Sequence, residues 1–305
     1  MSEHPRLTEL VARARERARY GAPALALVHP GDALAMQAAA AIRDAGIARP
    51  LLIGEREEIL RAAGQAGVDV GGFEIVATQT GGPAAARRAT ALAREGAVAM
   101  LMKGSLHTDE LMSAVVAKAD GLRGEGRISH AFVFDLPRYH KLLALADCVV
   151  NIAPDLKTKE HIVGNAVRML QALGIAEPKV GVVTAVESVN PAIPATLDAQ
   201  ALVQASAQGL WPGAIVEGPF GFDNAFSAEA ARIKKITSRV AGDADLLIMP
   251  ELNAGNMLYK SFVYVGGGDC AGLVLGARVP IVLTSRADSA MARLASVALG
   301  VLTRA

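Results

Sequence analysis

The sequence predicts an α/β fold built on a largely parallel sheet. Three observations carry that expectation: short apolar runs recur along all 305 residues, the runs are continuous rather than alternating, and helix-like stretches separate them. A continuous apolar run suits a strand covered by helices on both faces, whereas a half-solvated strand alternates. Strand–helix–strand succession then favours parallel pairing, since a crossover helix returns the chain to the edge it left.

Residues 24–28 (Ala-Leu-Ala-Leu-Val) give the first expected strand, followed by 50–53, 73–76, 97–102 and 131–134. Further apolar runs at 148–152, 180–183, 214–216, 246–249, 273–275 and 281–283 complete the series. Between them, residues 32–45 and 84–94 are alanine-rich, and alanine loses least on entering a helix. Within 161–173, Ile162, Val163, Ala166, Val167, Leu170 and Leu173 recur at helical spacing and make one apolar stripe. Residues 288–301 form the last expected helix, and Asn190-Pro191-Ala192-Ile193-Pro194 reads as a loop. A strand breaks at Leu136-Pro137-Arg138, the expected place for a boundary, and no linker or repeat is evident.

Composition narrows the function classes. Lys plus Arg (31) nearly balances Asp plus Glu (30), so no global field draws in nucleic acid or an anionic membrane. Two cysteines, Cys148 and Cys270, are too few for a disulfide scaffold or a zinc site, and point to a reducing, cytoplasmic setting. Cys148, between Asp147 and Val149, reads as a small buried hydrophobe. No stretch approaches the roughly 20 apolar residues of a membrane span.

Chemistry gathers at the ends of the expected strands, where ligands bind in open α/β sheets. Thr284-Ser285-Arg286 follows 281–283, and Pro250-Glu251-Leu252-Asn253-Ala254-Gly255-Asn256 follows 246–249. Arg286 is a planar charged fork suited to phosphate or carboxylate. Ser285 and Thr284 also suit a helix cap, as does Asp288. Lys260, if helical, lies one turn beyond Asn256 on the same face. Lys103-Gly104-Ser105 ends the strand expected at 97–102, so Lys103 and Ser105 line the same kind of rim. Arg127-Ile128-Ser129-His130 precedes another strand. Gly266 to Ala271 matches Gly-x-Gly-x-x-Ala with Asp288 downstream, but too little chain remains for a mononucleotide-binding unit, and a glycine helix cap accounts for it better.

Taken in order, Met102-Lys103-Gly104, Arg127-Ile128-Ser129-His130, Ala146-Asp147-Cys148-Val149-Val150-Asn151, Glu217-Gly218-Pro219-Phe220-Gly221-Phe222-Asp223, the Val240–Asn256 segment with Tyr259-Lys260, and Thr284-Ser285-Arg286 resemble the phosphate acetyltransferase/phosphate butyryltransferase family. The resemblance runs from about residue 95 to the end; Ser285-Arg286-x-Asp288-Ser289 looks more like the butyryltransferase branch.

That resemblance implies an enzyme interconverting acyl-CoA plus phosphate with acyl phosphate plus CoA, with coenzyme A as a substrate and no tightly bound cofactor or metal. It implies two three-layer α/β domains with parallel-rich sheets and an interdomain cleft, similar to isocitrate and isopropylmalate dehydrogenases, in a homodimer. Residues 1–137 plus 277–305 make the first expected domain and 138–276 the second. By the resemblance, Ser285 bonds the CoA sulfur or the reacting carbonyl, Arg286 and Arg127 hold phosphate oxygens, and Lys103, Ser105, Asn253, Asn256 and Lys260 contact substrate. The sequence departs from the family where acetyltransferases carry an aspartate seven residues after the serine: Ala292 stands there, leaving Asp288 as candidate base. The arginine usual after the His-Thr loop is also missing, with Met112 or Ser113 near its place. Two other readings fit the residues less well: a non-catalytic acyl-CoA-binding protein, and a metal-dependent oxidoreductase of related fold.

Overall fold

The protein is described from a computed structural model that covers residues 3–304. It divides into two compact units, one made of the chain up to Gly126 together with the chain from Ala271, the other Arg127–Cys270.

The first unit opens with α1 (Pro5–Ala18), then runs β1 (Ala24–Val28), α2 (Ala33–Ala45), β2 (Arg49–Gly54), α3 (Arg56–Ala66), β3 (Glu74–Ala77), α4 (Gly82–Arg94), β4 (Met100–Lys103) and α5 (Thr108–Val116). The second holds β5 (Ser129–Asp135), β6 (Leu143–Ala146), α6 (Leu156–Ala172), β7 (Lys179–Val183), α7 (Pro194–Ala207), β8 (Ile215–Phe220), α8 (Phe222–Phe226), α9 (Ala228–Ile233), β9 (Leu246–Ile248) and α10 (Leu252–Tyr264). β10 (Asp269–Leu275) leads the chain back to the first unit, which β11 (Ile281–Val282) and α11 (Ala290–Thr303) complete.

In the first unit the strands lie in the order β3-β2-β1-β4-β11-β10. All neighbours are parallel except β10 and β11. Register places Val28 opposite Lys103 and Val282 opposite Met102, so β1, β4 and β11 end on one rim. Leu25, Leu27 and Leu101 are fully buried, and each contributes about 1.5–3 kcal/mol by leaving water. Asp32 starts α2 by accepting the Ala35 N–H at 2.8 Å, and Gly46, at φ 68, ends it in a conformation glycine adopts without strain. The two ends of the chain are tied by Arg17, whose guanidinium donates to the carbonyls of Leu302 (3.3 Å) and Arg304 (3.2 Å) at the negative end of α11.

The second unit orders its strands β5-β6-β9-β7-β8, with only β5–β6 antiparallel. Its core joins Phe134, Leu145, Val183, Leu247 and Phe262. The buried Tyr139 hydroxyl donates to the Ala244 carbonyl at 2.7 Å and closes the core beneath the β5–β6 turn. Among the described residues no helix is long and apolar enough to cross a membrane.

Two expectations need correction. Residues 148–152 are not a strand; the strand is Leu143–Ala146, one apolar run earlier. Asp147 separates the two runs, and its carboxylate captures the N–H groups of Val149 (2.8 Å) and Val150 (2.9 Å), removing the donors a ladder needs. The break at Leu136-Pro137-Arg138 is the turn of the β5–β6 hairpin, inside the second unit rather than at its edge.

Leu247, fully buried on the central β9, is the sharpest test of the second core. Leu247→Ala should destabilise the protein by about 2–5 kcal/mol in urea unfolding, the lost transfer term plus a cavity.

Candidate active site

In the first unit, the aligned ends of β1, β4 and β11 carry their loops side by side. His29, just past β1, sits at φ 53, a costly conformation for a residue with a side chain. Its carbonyl accepts the Ser105 hydroxyl (2.8 Å), the Ser105 N–H (2.9 Å) and the Gly31 N–H (2.9 Å), which hold it there. Ser105 also accepts the Gly31 N–H at 3.0 Å, so its hydroxyl stitches the β1 and β4 loops together. Gly104 is required between them: a Cβ there would stand 2.5 Å from the carbonyl oxygens of Val28 and His29. Lys103 turns its ammonium toward the carbonyls of Gly104 (3.2 Å) and Leu106 (3.1 Å). Burial lowers its pKa, and the nearby Arg286 lowers it further.

Thr284 joins the third loop to the same rim by donating to the Lys103 carbonyl at 3.2 Å. Beyond it, Asp288 does not cap the last helix; Ser289 does, accepting the Ala292 N–H at 2.8 Å. The Asp288 carboxylate instead accepts the Ser285 N–H at 2.7 Å and closes a tight loop. Ser285 and Arg286 stand exposed on that loop. Among the described residues the Arg286 guanidinium has no hydrogen-bond or ion-pair partner. Lys103, Ser105, Ser285 and Arg286 line one small hollow; beside it, an apolar hollow of about 120 Å³ lies between α2 and α11, with Asp288 and Arg293 at its margin.

In the second unit the organising group is Asp147, buried just past β6. One carboxylate oxygen accepts the Val149 and Val150 N–H groups; the other accepts the His130 N–H (3.1 Å) and the Asn151 amide (2.6 Å). Four donors on one buried carboxylate offset its loss of water. Asn165 of α6 donates to the Arg127 carbonyl (2.9 Å) and to Ser129 Oγ (2.9 Å), pinning the Arg127 backbone while its side chain stays exposed. Asn256 of α10 donates to the Cys148 carbonyl at 3.2 Å. Asn253 turns back on the cap residue Glu251 (3.0 Å), and Lys260 is exposed one turn beyond Asn256. Burial pushes the Cys148 thiol well up, so it stays protonated and packs as an apolar side chain. Gly267, at φ 65, turns the chain out of α10 toward β10, the helix-ending role expected of that glycine run.

A sequence profile described as phosphate acetyl/butaryl transferase matches residues 83–301. The chain belongs to that family. It is 48% identical over 286 residues, 93% of this chain and 90% of the relative, to a phosphate acetyltransferase of Rhizobium meliloti. A phosphate butyryltransferase of Clostridium acetobutylicum is 41% identical over 265 residues, 86% of this chain and 88% of the relative. Among solved structures, a branched-chain phosphotransacylase from Enterococcus faecalis superposes with a TM-score of 0.81 at 27% identity, covering 92% of this chain and 98% of its own. Similarity thus reaches well upstream of the motif series, to include the first strands.

As a member of the phosphate acetyl/butaryl transferase family, the chain is an acyltransferase, and its rim chemistry suits that class. An uncommitted guanidinium, a serine hydroxyl and a lysine stand together on one rim, where negative charge developing on oxygen or sulfur would be stabilised. Ala292, at the position of the expected aspartate, is buried in the first turn of α11. Sequence reasoning passed over Arg293, Asn165 and the carboxylate of Asp147. Each acts through backbone groups remote in sequence or one turn away, and the one visible sign was an arginine in the first turn of a helix, where cations are disfavoured.

Gly104→Ala should displace the Lys103 loop, lowering both thermal stability and activity, since the atoms a methyl would meet are backbone oxygens that cannot rotate away. Burial draws the His130 pKa down from 6.5 to about 4, the Asp147 charge opposing it. The unfolded chain takes up this proton near 6.5 while the native state refuses it until about 4, so stability is level above 6.5 and falls as pH drops through that window. Urea unfolding at pH 7 and pH 5 should show a loss on the order of 2 kcal/mol from this group, and His130→Phe should lack it.

Proposed function

We propose that the chain transfers a short acyl group, acetyl to butyryl, between coenzyme A and inorganic phosphate. A phosphate oxygen attacks the thioester carbonyl carbon and forms the new C–O bond; the tetrahedral oxyanion then collapses, the C–S bond breaks and its electron pair leaves with sulfur. Arg286 and Arg127 hold the phosphate oxygens, and Ser285 donates its hydroxyl proton in a hydrogen bond to the sulfur or the carbonyl oxygen. Lys103 adds positive charge beside them. In the reverse direction Asp288 accepts the proton of the CoA thiol. No covalent enzyme intermediate is needed, because holding both substrates in line supplies much of the rate.

The observation that carries this reading is the unpaired Arg286 guanidinium beside the Ser285 hydroxyl and Lys103 on one strand-end rim. Lys260 is read as a substrate contact. Ser105, Asn253 and Asn256, all engaged by the protein itself, act by shaping their loops. We read the two compact units as two domains, in a fold of the isocitrate/isopropylmalate dehydrogenase kind. A cytoplasmic homodimer completes the reading, with two free, buried cysteines that suit a reducing compartment.

The deciding assay is phosphate-dependent release of free thiol from acetyl-, propionyl- and butyryl-CoA. Release that requires phosphate is expected, and the ranking of kcat/KM names the acyl group; folded protein with no release from any of the three overturns the proposal. Arg286→Ala should lower turnover at least roughly tenfold with the fold intact, since a charge-assisted contact is worth about 1.5–3 kcal/mol; unchanged kinetics would remove Arg286 from the mechanism.

A further inference from the structure

Arg293 occupies the first turn of α11, next to the cap residue Ser289 and its partner Ala292. A cation there opposes the positive end of the helix dipole, so the position itself disfavours it. Its guanidinium does not pair with a carboxylate among the described residues. It reaches back over the helix start instead: Nη2 donates to the carbonyls of Ser285 (2.9 Å), Arg286 (3.2 Å) and Asp288 (3.4 Å), and Nε to Asp288 (3.4 Å). Those are three of the four peptide carbonyls from Ser285 to Asp288. The same loop is tied within itself by Asp288 Oδ2 on the Ser285 N–H (2.7 Å) and by the Asp288 N–H on the Ser285 carbonyl (3.2 Å).

One planar fork therefore gathers the carbonyls of a four-residue loop on which the Ser285 and Arg286 side chains stand exposed. Carbonyl oxygens crowded near a phosphate-binding rim would repel an anion; a guanidinium that draws them to itself removes that repulsion and fixes where the Ser285 and Arg286 side chains begin. Lysine would not substitute, since a single ammonium lacks the planar set of donors.

We infer that Arg293, which lines the same hollow, is a positioning residue: it holds the backbone of residues 285–288 so that Ser285 and Arg286 meet the substrates. This rests on the reading of Ser285 and Arg286 as the reacting rim.

The test compares Arg293→Ala with Ser285→Ala and Arg286→Ala in the phosphate-dependent thiol-release assay, with thermal melts on each. A displaced catalytic loop costs chemistry more than binding, so Arg293→Ala should lose roughly ten- to a hundredfold in kcat with little change in KM for acyl-CoA. Guanidinium chloride at sub-denaturing concentration should restore part of that kcat, and sodium chloride at equal ionic strength should not. Wild-type kcat in Arg293→Ala, or a loss that guanidinium does not relieve, overturns the inference. If Ser285→Ala and Arg286→Ala both keep full activity, the reading of the rim fails first, and the inference with it. Should the alanine variant not fold, Arg293→Lys takes its place: the charge is kept and the fork lost, so kcat should still fall, and wild-type kcat there overturns the inference equally.

Discussion

Parallel pairing of β4 with β11 is the constraint on which the first unit depends. It brings the Thr284 loop beside the Lys103 loop, while the pairing of β4 with β1 brings the His29 loop to the other side. Everything polar at this rim is then a consequence of strand ends that can no longer bond to one another. Ser105 closes one gap, Thr284 a second, and the carbonyls that remain are taken by Lys103 and Arg293. The cations that suit an anionic substrate are thus partly engaged in satisfying the backbone, and Arg286 stands apart because nothing in the loop engages it.

The second unit solves a similar problem with the opposite charge. Asp147 gathers N–H groups where Arg293 gathers carbonyls, and both act at the end of a strand or the start of a helix, where backbone groups lack partners. Burying Asp147 has chemical effects on its neighbours: its charge raises the Cys148 pKa after burial has already done so, and partly offsets the desolvation of His130. Neither side chain is left in a reactive state at neutral pH.

Much of this was legible in the sequence because most strands here are uninterrupted apolar blocks with helices between them. Residues 24–28, 180–183 and 281–283 needed no tertiary information to be recognised. The misplacement at 148–152 shows the limit: hydropathy ranks Cys-Val-Val above Leu-Ala-Leu-Ala, and only the hydrogen bonds of Asp147 decide between them. The site was legible as residue types at strand ends. What each residue does there was not: Ser105 looks like a substrate donor in sequence and binds the His29 carbonyl in the structure, whereas Arg293, which no sequence pattern singled out, braces a loop. Both assignments depend on which backbone atoms lie within reach, which spacing along the chain does not encode.

The route of the chain through the first unit also bears on how the protein is made. β11 pairs with a strand about 180 residues earlier, and the residues between them include the whole of Arg127–Cys270. On the ribosome, that contiguous segment emerges complete while the first unit still lacks β10, β11 and α11. Until the last stretch from Ala271 leaves the exit tunnel, β4 offers an unpaired edge and α1 lacks the helix it packs against. Nascent chains that lack this stretch are therefore exposed to edge-to-edge association, and β11 must close a long loop before it can pair with β4.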